Sequence, residues 1–400
     1  MSESWRAAGL LGLRAGFFGA AGLLLAAAGP LAAAPRWEQV AGPSGGLVTA
    51  LAQARSSPEV LWAGTYAAGV FRSTDGGAGW TAATGHGFPA ASVAELAIDP
   101  RDARTVFAAT ALDGQYSPES LMRSSDGGAT WSAVAPPWGL VSALAFDPRR
   151  RGVLYAATSY AETSGLYRTA DAAGSWELVG FSGHTVTSVA IDHRSSAVVY
   201  VTASSDAGFG AAADSVWKST DRGQTWSRHT FPSSDLYGLT FDVARPGTLY
   251  CIASGPRVSR VLRSRDGGSS WEDLPLNEEV KDYYLASLES SPSGVLFAAT
   301  PQGLIRSSDG GATFEAMSCG LARAGAVSAL LIDPEDPARL YAAGAGVWRW
   351  DAAARCWQRI VEGLPVSLFS GSIALDARRP AVLYAGTEGR GIYRLQLDAE

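Results

Sequence analysis

One nine-residue stretch recurs along this chain and restricts its fold more than any other feature. Arg123-Ser124-Ser125-Asp126-Gly127-Gly128-Ala129-Thr130-Trp131 reads as a tight turn ending in an aromatic that opens a strand. Copies run from Arg72 to Trp80, Lys218 to Trp226, Arg263 to Trp271 and Arg306 to Phe314, with a weaker one from Arg168 to Trp176. A repeat array is one object at any length. The 400 residues therefore need not divide into the two or three domains that length alone suggests.

The third unit shows what lies between the turns. Val141-Ser142-Ala143-Leu144-Ala145-Phe146-Asp147-Pro148 alternates apolar and small residues and ends in Asp-Pro, a strand followed by a turn. Val153-Leu154-Tyr155-Ala156-Ala157-Thr158 is apolar along its length, as a strand covered on both faces should be. Gly165 to Arg168 is a third strand, and Trp176-Glu177-Leu178-Val179, after the turn, is a fourth. Four short antiparallel strands in about 45 residues make one propeller blade. Second strands of the Val-Leu-Tyr-Ala kind mark eight such units, from Val60 to Gly64 through Val382 to Ala385. The seventh unit has a decayed turn, Arg349 to Trp357, and the eighth stops after Gly391-Ile392-Tyr393-Arg394. Its missing strand is at the other end of the chain, where Arg36-Trp37-Glu38-Gln39-Val40 matches Ser175 to Val179. The expected fold is all-β, a single β-propeller over residues 35–400. It has eight four-stranded blades, seven if one unit is misread, and the strand near Trp37 closes the ring. Closure removes an open sheet edge, which is an aggregation hazard.

Composition excludes several function classes. Abundant Gly and Trp suit short strands joined by tight turns. A net charge of -6 lacks the basic face that nucleic acid requires. Cys251, Cys319 and Cys356 are odd in number and irregular in spacing, so the expectation is buried inert thiols, with no metal motif and no disulfide framework. His86, His184, His193 and His229 are scattered without ligand spacing, and no Gly-rich loop precedes a helix to cradle phosphate. No metal and no cofactor are expected. Residues 1–34 read as a signal peptide. Arg6 and Arg14 precede an uncharged Leu- and Ala-rich run, and Ala26 to Ala28 and Ala32 to Ala34 fit a small-residue cleavage pattern. An uncleaved N-terminal anchor is the alternative, and it is the only membrane contact expected. Either way, the rest of the chain belongs outside the cytoplasm, secreted or periplasmic.

The turn has a mechanical explanation. An Asp carboxylate accepts hydrogen bonds from amides that the turn exposes, and Ser and Thr hydroxyls bond to the same loop. Gly supplies geometry that a Cβ would block, and the Trp buries a large face while its indole N–H needs one partner. These turns resemble the Asp-box (BNR) motif of sialidases, sortilin-type receptors, xyloglucan-degrading glycosidases and photosystem II stability and assembly factors. The resemblance implies that Asp75, Asp126, Asp171, Asp221, Asp266 and Asp309 are scaffold on the rim, away from any active site. It does not carry an activity across. The Arg-Ile-Pro segment of sialidases is absent. Gly64-Thr65-Tyr66-Ala67-Ala68-Gly69-Val70-Phe71-Arg72 resembles the opening of xyloglucanases, but Tyr66 stands where that family's pattern has a catalytic Asp.

Topology says where else to look. The Asp turns join third and fourth strands. The loops between second and third strands, and the links between blades, then lie on the opposite face. That face carries Tyr66, Tyr116, Trp138, Tyr160, Phe209, Arg257, Tyr283 and Glu388, aromatics mixed with polar groups that suit recognition of a protein or glycan partner. The expected function is a non-catalytic binding or assembly scaffold. The alternative is a glycoside hydrolase, whose two carboxyl groups would come from Asp113, Glu119, Glu162, Asp206, Asp214 and Glu388 on the same face.

Overall fold

A computed structural model describes residues 36–397 apart from 44–46, 90–91, 112–120, 135–139, 160–163, 205–212, 233–234, 255–258, 282, 322–326, 328, 334–335, 345, 366–367, 377 and 379–380. Eight four-stranded antiparallel sheets form a propeller, and the described residues contain no helix. The first strands of blades 1 to 8 are Val48–Gln53, Ser92–Asp99, Leu140–Phe146, Val186–Ile191, Asp235–Phe241, Ser287–Ser290, Ala329–Ile332 and Leu368–Asp376. Within blades 1 to 7 the strands pair in chain order. Blade 8 takes three strands from the C-terminal end and its fourth, Glu38–Gln39, from the N-terminal end. Glu38 pairs with Arg394 and Gln39 with Tyr393. The count is therefore eight, and the ring closes where the sequence repeat predicts.

The second strands are apolar because a blade covers them on each side. Leu61–Thr65 and Leu296–Thr300 are buried along their whole lengths. Their central aromatics face the next blade. Tyr155 packs with Val186 and Val199 of blade 4, and Phe297 packs with Leu330 and Leu340 of blade 7. Each such side chain withdrawn from water stabilises the ring by about 1.5–3 kcal/mol. Several of the tryptophans that open fourth strands tie the blades further. The indole N–H of Trp131 donates to Ala83 O at 2.7 Å, that of Trp226 to Val179 O at 3.0 Å, and that of Trp37 to Ile360 O at 2.9 Å, whereas those of Trp80 and Trp271 are buried without a partner among the described residues. In the three bonded cases the acceptor lies in, or one residue past, the outer strand of the preceding blade.

The Asp turns are closed by their own side chains. Asp126 Oδ1 accepts from Ser124 Oγ at 2.8 Å and from the Thr130 amide at 3.0 Å, while Oδ2 accepts from Thr130 Oγ1 at 2.6 Å. Ser124 Oγ in turn accepts the Gly128 amide at 2.8 Å. Asp171, Asp221, Asp266 and Asp309 repeat this pattern. The hydroxyl and amide of Thr130, then the Ser124 hydroxyl, hold the Asp126 carboxyl down at about 2. The second Gly of the turn lets the preceding blade approach. Gly77 has φ +76, and a Cβ there would lie 2.4 Å from the Tyr384 ring.

A second periodic aspartate went unnoticed in the sequence beyond the Asp147-Pro148 turn. Asp99, Asp147, Asp192, Asp242 and Asp376 end the first strands, buried, and each accepts the amide two residues on. The cysteine expectation needs correction. Cys319 and Cys356 form a disulfide across 37 residues of sequence. The two residues belong to adjoining blades, so spacing along the chain gave no hint of their meeting. Cys251 is a buried free thiol whose pKa burial pushes up.

Candidate functional site

Antiparallel alternation puts the loops between second and third strands on one face with the inter-blade links, and the Asp turns on the other. Of the residues singled out for the loop-rich face, Tyr66, Tyr283 and Glu388 are described. Tyr116, Trp138, Tyr160, Phe209 and Arg257 lie outside the described residues, as do Asp113, Glu119, Glu162 and Asp206.

The backbone brings Tyr66 and Glu388 together although 322 positions separate them, which is 388 minus 66. The Tyr66 amide donates to Leu47 O at 2.8 Å, and Leu47 forms an antiparallel bridge with Glu388. Both flank the seam between blades 8 and 1. Tyr66 is 58% exposed, and Glu388 is exposed with it. The ring closure that the N-terminal strand enforces therefore also assembles this pair.

A ring of side chains circles the inner strands on the same face. In blades 1 to 5 the first strand slips register near its start, between Val48 and Ala50, Val93 and Glu95, Val141 and Ala143, Val186 and Ser188, and Tyr237 and Thr240, and blade 8 slips between Leu368 and Ile373. Such bulges re-aim the extra residue. Here Ser142 Oγ donates to Val186 O and Thr187 Oγ1 to Leu236 O, each at 2.8 Å, and Thr49 Oγ1 donates to Val93 O. Blade 5 departs from blades 1, 3 and 4, because Tyr237 stands where they have a small hydroxyl residue. Its OH donates to Leu285 O at 2.7 Å, and its ring lies 6.4 Å from Tyr284 at 30°. Tyr284 is 51% exposed, whereas Tyr283 is half-buried against the core between blades 5 and 6. Tyr283, singled out for contact, is thus partly used in packing, and its neighbour presents the open ring.

Asp214 adds a carboxyl at the neighbouring seam. Its Oδ2 accepts the Leu236 amide at 2.8 Å. Burial, the largest influence, and the nearby Asp235 push its pKa up to about 6 against that hydrogen bond. Asp235 is exposed at the start of the blade 5 inner strand. Among the described residues, no cluster of three His, Cys, Asp or Glu is placed to hold a metal ion. Sequence reasoning missed Tyr237 and Asp235. The signal for Tyr237 was available: it is the one bulky residue in a column that holds Thr49, Ala94, Ser142 and Thr187 in blades 1 to 4.

No protein-family model matches this chain, and no curated protein sequence matches it detectably. Solved structures do. A Dos1 propeller superposes with TM-score 0.64 at 12% identity, covering 91% of this chain and 95% of the other. A GH74 xyloglucanase from Xanthomonas campestris gives 0.55 at 18%, covering 88% of this chain and 60% of the enzyme. YCF48 bound to a D1 peptide gives 0.53 at 14%, covering 91% and 97%. This chain thus spans about 60% of the xyloglucanase's length. Likeness at these identities carries the propeller fold and nothing finer, since one architecture hosts both enzymes and binding proteins.

Proposed function

We propose that this chain is an exported, non-catalytic binding scaffold whose loop-rich face holds a protein or glycan partner. The observation that carries the reading is the placement of exposed aromatics. Two of the three large hydrophobic side chains exposed among the described residues, Tyr66 and Tyr284, stand on the loop-rich face. Tyr66 and the exposed Glu388 both flank Leu47, and an open ring on the same seam as a charge suits a recognition surface. On the opposite face the carboxylates of the Asp turns are spent inside their own loops, which supports a scaffold role for them. The YCF48 complex offers a precedent in fold for a propeller holding a peptide. An exposed disulfide and the Leu- and Ala-rich residues 1–34 support export, because disulfides persist in oxidising compartments.

A glycoside hydrolase is the second reading, and Asp214 is the observation in its favour. A carboxyl held up to about 6 beside a second one is a possible acid for glycosidic bonds. Binding to a glycan array and to envelope proteins, with product analysis on the same glycans, separates the two. The scaffold reading expects binding that falls about tenfold in Tyr66→Ala/Tyr284→Ala and is unchanged in Thr74→Ala on the Asp-turn face. Turnover abolished by Asp214→Asn would replace it with the hydrolase reading. Binding that depends on Thr74 but not on the tyrosines would overturn the choice of face.

A further inference from the structure

The seam between blades 6 and 7 is fastened differently from its counterparts. At four other seams a side chain of one blade donates to a carbonyl of the next blade's Asp turn, although blade 2, like blade 6, has a phenylalanine, Phe107, at the tyrosine position. Tyr155 OH reaches Arg222 O at 3.1 Å, Tyr200 OH reaches Gly267 O at 2.8 Å, and Tyr384 OH reaches Gly76 O at 2.6 Å. Arg263 Nη1 does the same to Gly310 O at 2.5 Å. Blade 6 has Phe297 at the tyrosine position, which has no hydroxyl to give. Its Arg306 turns back to Glu315 of its own blade at 2.6 Å. Blade 7 offers no turn of this form, and Asp351 instead caps a different one by accepting the Ala353 amide at 3.0 Å and the Ala354 amide at 2.9 Å. Ala352 replaces the turn aspartate, and the ladder simply runs on through Trp350↔Trp357 and Asp351↔Cys356.

The disulfide, with the Arg355–Glu315 ion pair beside it, stands in the place of the missing Asp-turn bond, while the Trp357 indole still donates to Met317 O at 2.9 Å. Between blades 1 and 2, the Trp131 amide donates to His86 O at 2.8 Å, and His86 bridges Thr130 in parallel. Between blades 6 and 7, the Trp357 amide donates to Cys319 O at 2.9 Å. Cys319 therefore corresponds to His86, and Cys356 to Thr130. Thr130 is the residue whose amide and hydroxyl hold the turn aspartate in blade 2. The sulfur bridge joins the two positions that a parallel bridge joins in blade 2, and the closed loop encloses the three inner strands of blade 7.

Two further features mark the same seam. Glu289 sits at the inner-strand position where blades 2 and 8 have Ala97 and Ala374, and its Oε1 is buried without a partner. An interior without a partner for that oxygen holds the blades less firmly than an apolar one. The bridge itself is within reach of solvent, since Cys319 is exposed and Cys356 is half-buried.

We propose that Cys319–Cys356 is a redox-sensitive latch: it takes over the fastening of an Asp turn between blades 6 and 7, and its reduction loosens blade 7 while the rest of the ring stays closed. The reductant is a dithiol. Its first thiolate attacks one sulfur to form a mixed disulfide, and its second closes a ring and leaves as a cyclic disulfide. Two electrons and two protons then convert the latch to two thiols, and no other group is oxidised.

Hydrogen–deuterium exchange on the full chain, with and without dithiothreitol, tests this. Thiol counting by mass should find one free thiol before reduction and three after. Exchange across Ala329–Ile332 and Cys356–Arg359 should accelerate about tenfold on reduction, with blades 2 to 4 unchanged. Cys319→Ser/Cys356→Ser should show the loosened profile without reductant and no further response to it. Titration of the unaltered protein with dithiothreitol decides the matter if that variant fails to accumulate. Equal acceleration around the whole ring, no acceleration in blade 7, or three free thiols in the oxidised protein would each overturn the proposal.

Discussion

Glu289→Gln should stabilise this protein, and by more as pH rises. The carboxyl is buried between blades, with Oε1 unpartnered, and burial is the one influence on its pKa, pushing it up to about 8 from the ordinary value of 4.5. Among the described residues, no charged neighbour offsets that burial. The folded state therefore holds a proton that the unfolded chain releases above about 4.5. Where the native state binds more protons, stability falls with rising pH, so the loss begins near 4.5 and is complete above about 8. Each pH unit of that interval is worth about 1.4 kcal/mol, giving a ceiling of about 5 kcal/mol. Some relaxation of the blades around the ionised group brings the expected gain at pH 9 to about 2 kcal/mol or more. At pH 4 the carboxyl is neutral in the folded state and mostly so in the unfolded one, and nearly the shape of the amide, so the two proteins should unfold almost together. Urea unfolding at pH 4, 6 and 9 reads this as a midpoint gap that opens with pH at constant slope. A gap independent of pH, or a wild type that gains on the variant as pH rises, would refute the reasoning.

Two other perturbations address the repeated fastenings. Tyr384→Phe removes the 2.6 Å bond to Gly76 O at the closing seam and should cost about 1 kcal/mol in thermal or denaturant unfolding. No loss would mean that the carbonyl is satisfied by solvent. Asp126→Ala should cost about 1–2 kcal/mol at neutral pH, because it strips the acceptor from Ser124 and Thr130. Its folded pKa is depressed to about 2, so that stabilisation is full above about 4 and disappears as pH falls through about 2. Acid unfolding curves of the two proteins should converge there, and curves that stay parallel would contradict it.

The architecture was legible because it is repeated. Eight versions of one pattern average out the noise in any single strand, and the fit of Arg36 to Val40 onto Ser175 to Val179 located the closing strand. The turn chemistry was legible for the same reason, since Ser124, Asp126, Gly128 and Thr130 hold fixed offsets that only a compact loop explains. The disulfide was not legible. Cys319 and Cys356 lie at different points of two successive repeats, and their meeting depends on how one blade's outer edge overlaps the next. The first-strand aspartates were hidden differently. Asp147-Pro148 reads as an ordinary turn, and only the structure shows Asp147, Asp192 and Asp242 buried and bonded alike.

The same averaging explains what repetition cannot reveal. A residue that serves one blade alone departs from the column it belongs to, and in a strand such a departure reads as tolerated variation. Tyr237 in Leu236-Tyr237-Gly238 and Glu289 in Ser287-Leu288-Glu289-Ser290 are departures of this kind in the inner strand. Only their surroundings give them meaning: Tyr237 turns a ring of small hydroxyls into an aromatic contact with Tyr284, and Glu289 puts a carboxyl where Ala97 and Ala374 stand in other blades. One-off residues therefore lie in the strands as well as in the loops. A propeller's inner strands border its axis, so a substitution there is as well placed to meet a partner, or to weaken a seam, as any loop. Aligned blade by blade, the columns that break pattern converge on two places: the loop-rich face over blades 4 to 6, and the seam that the disulfide holds.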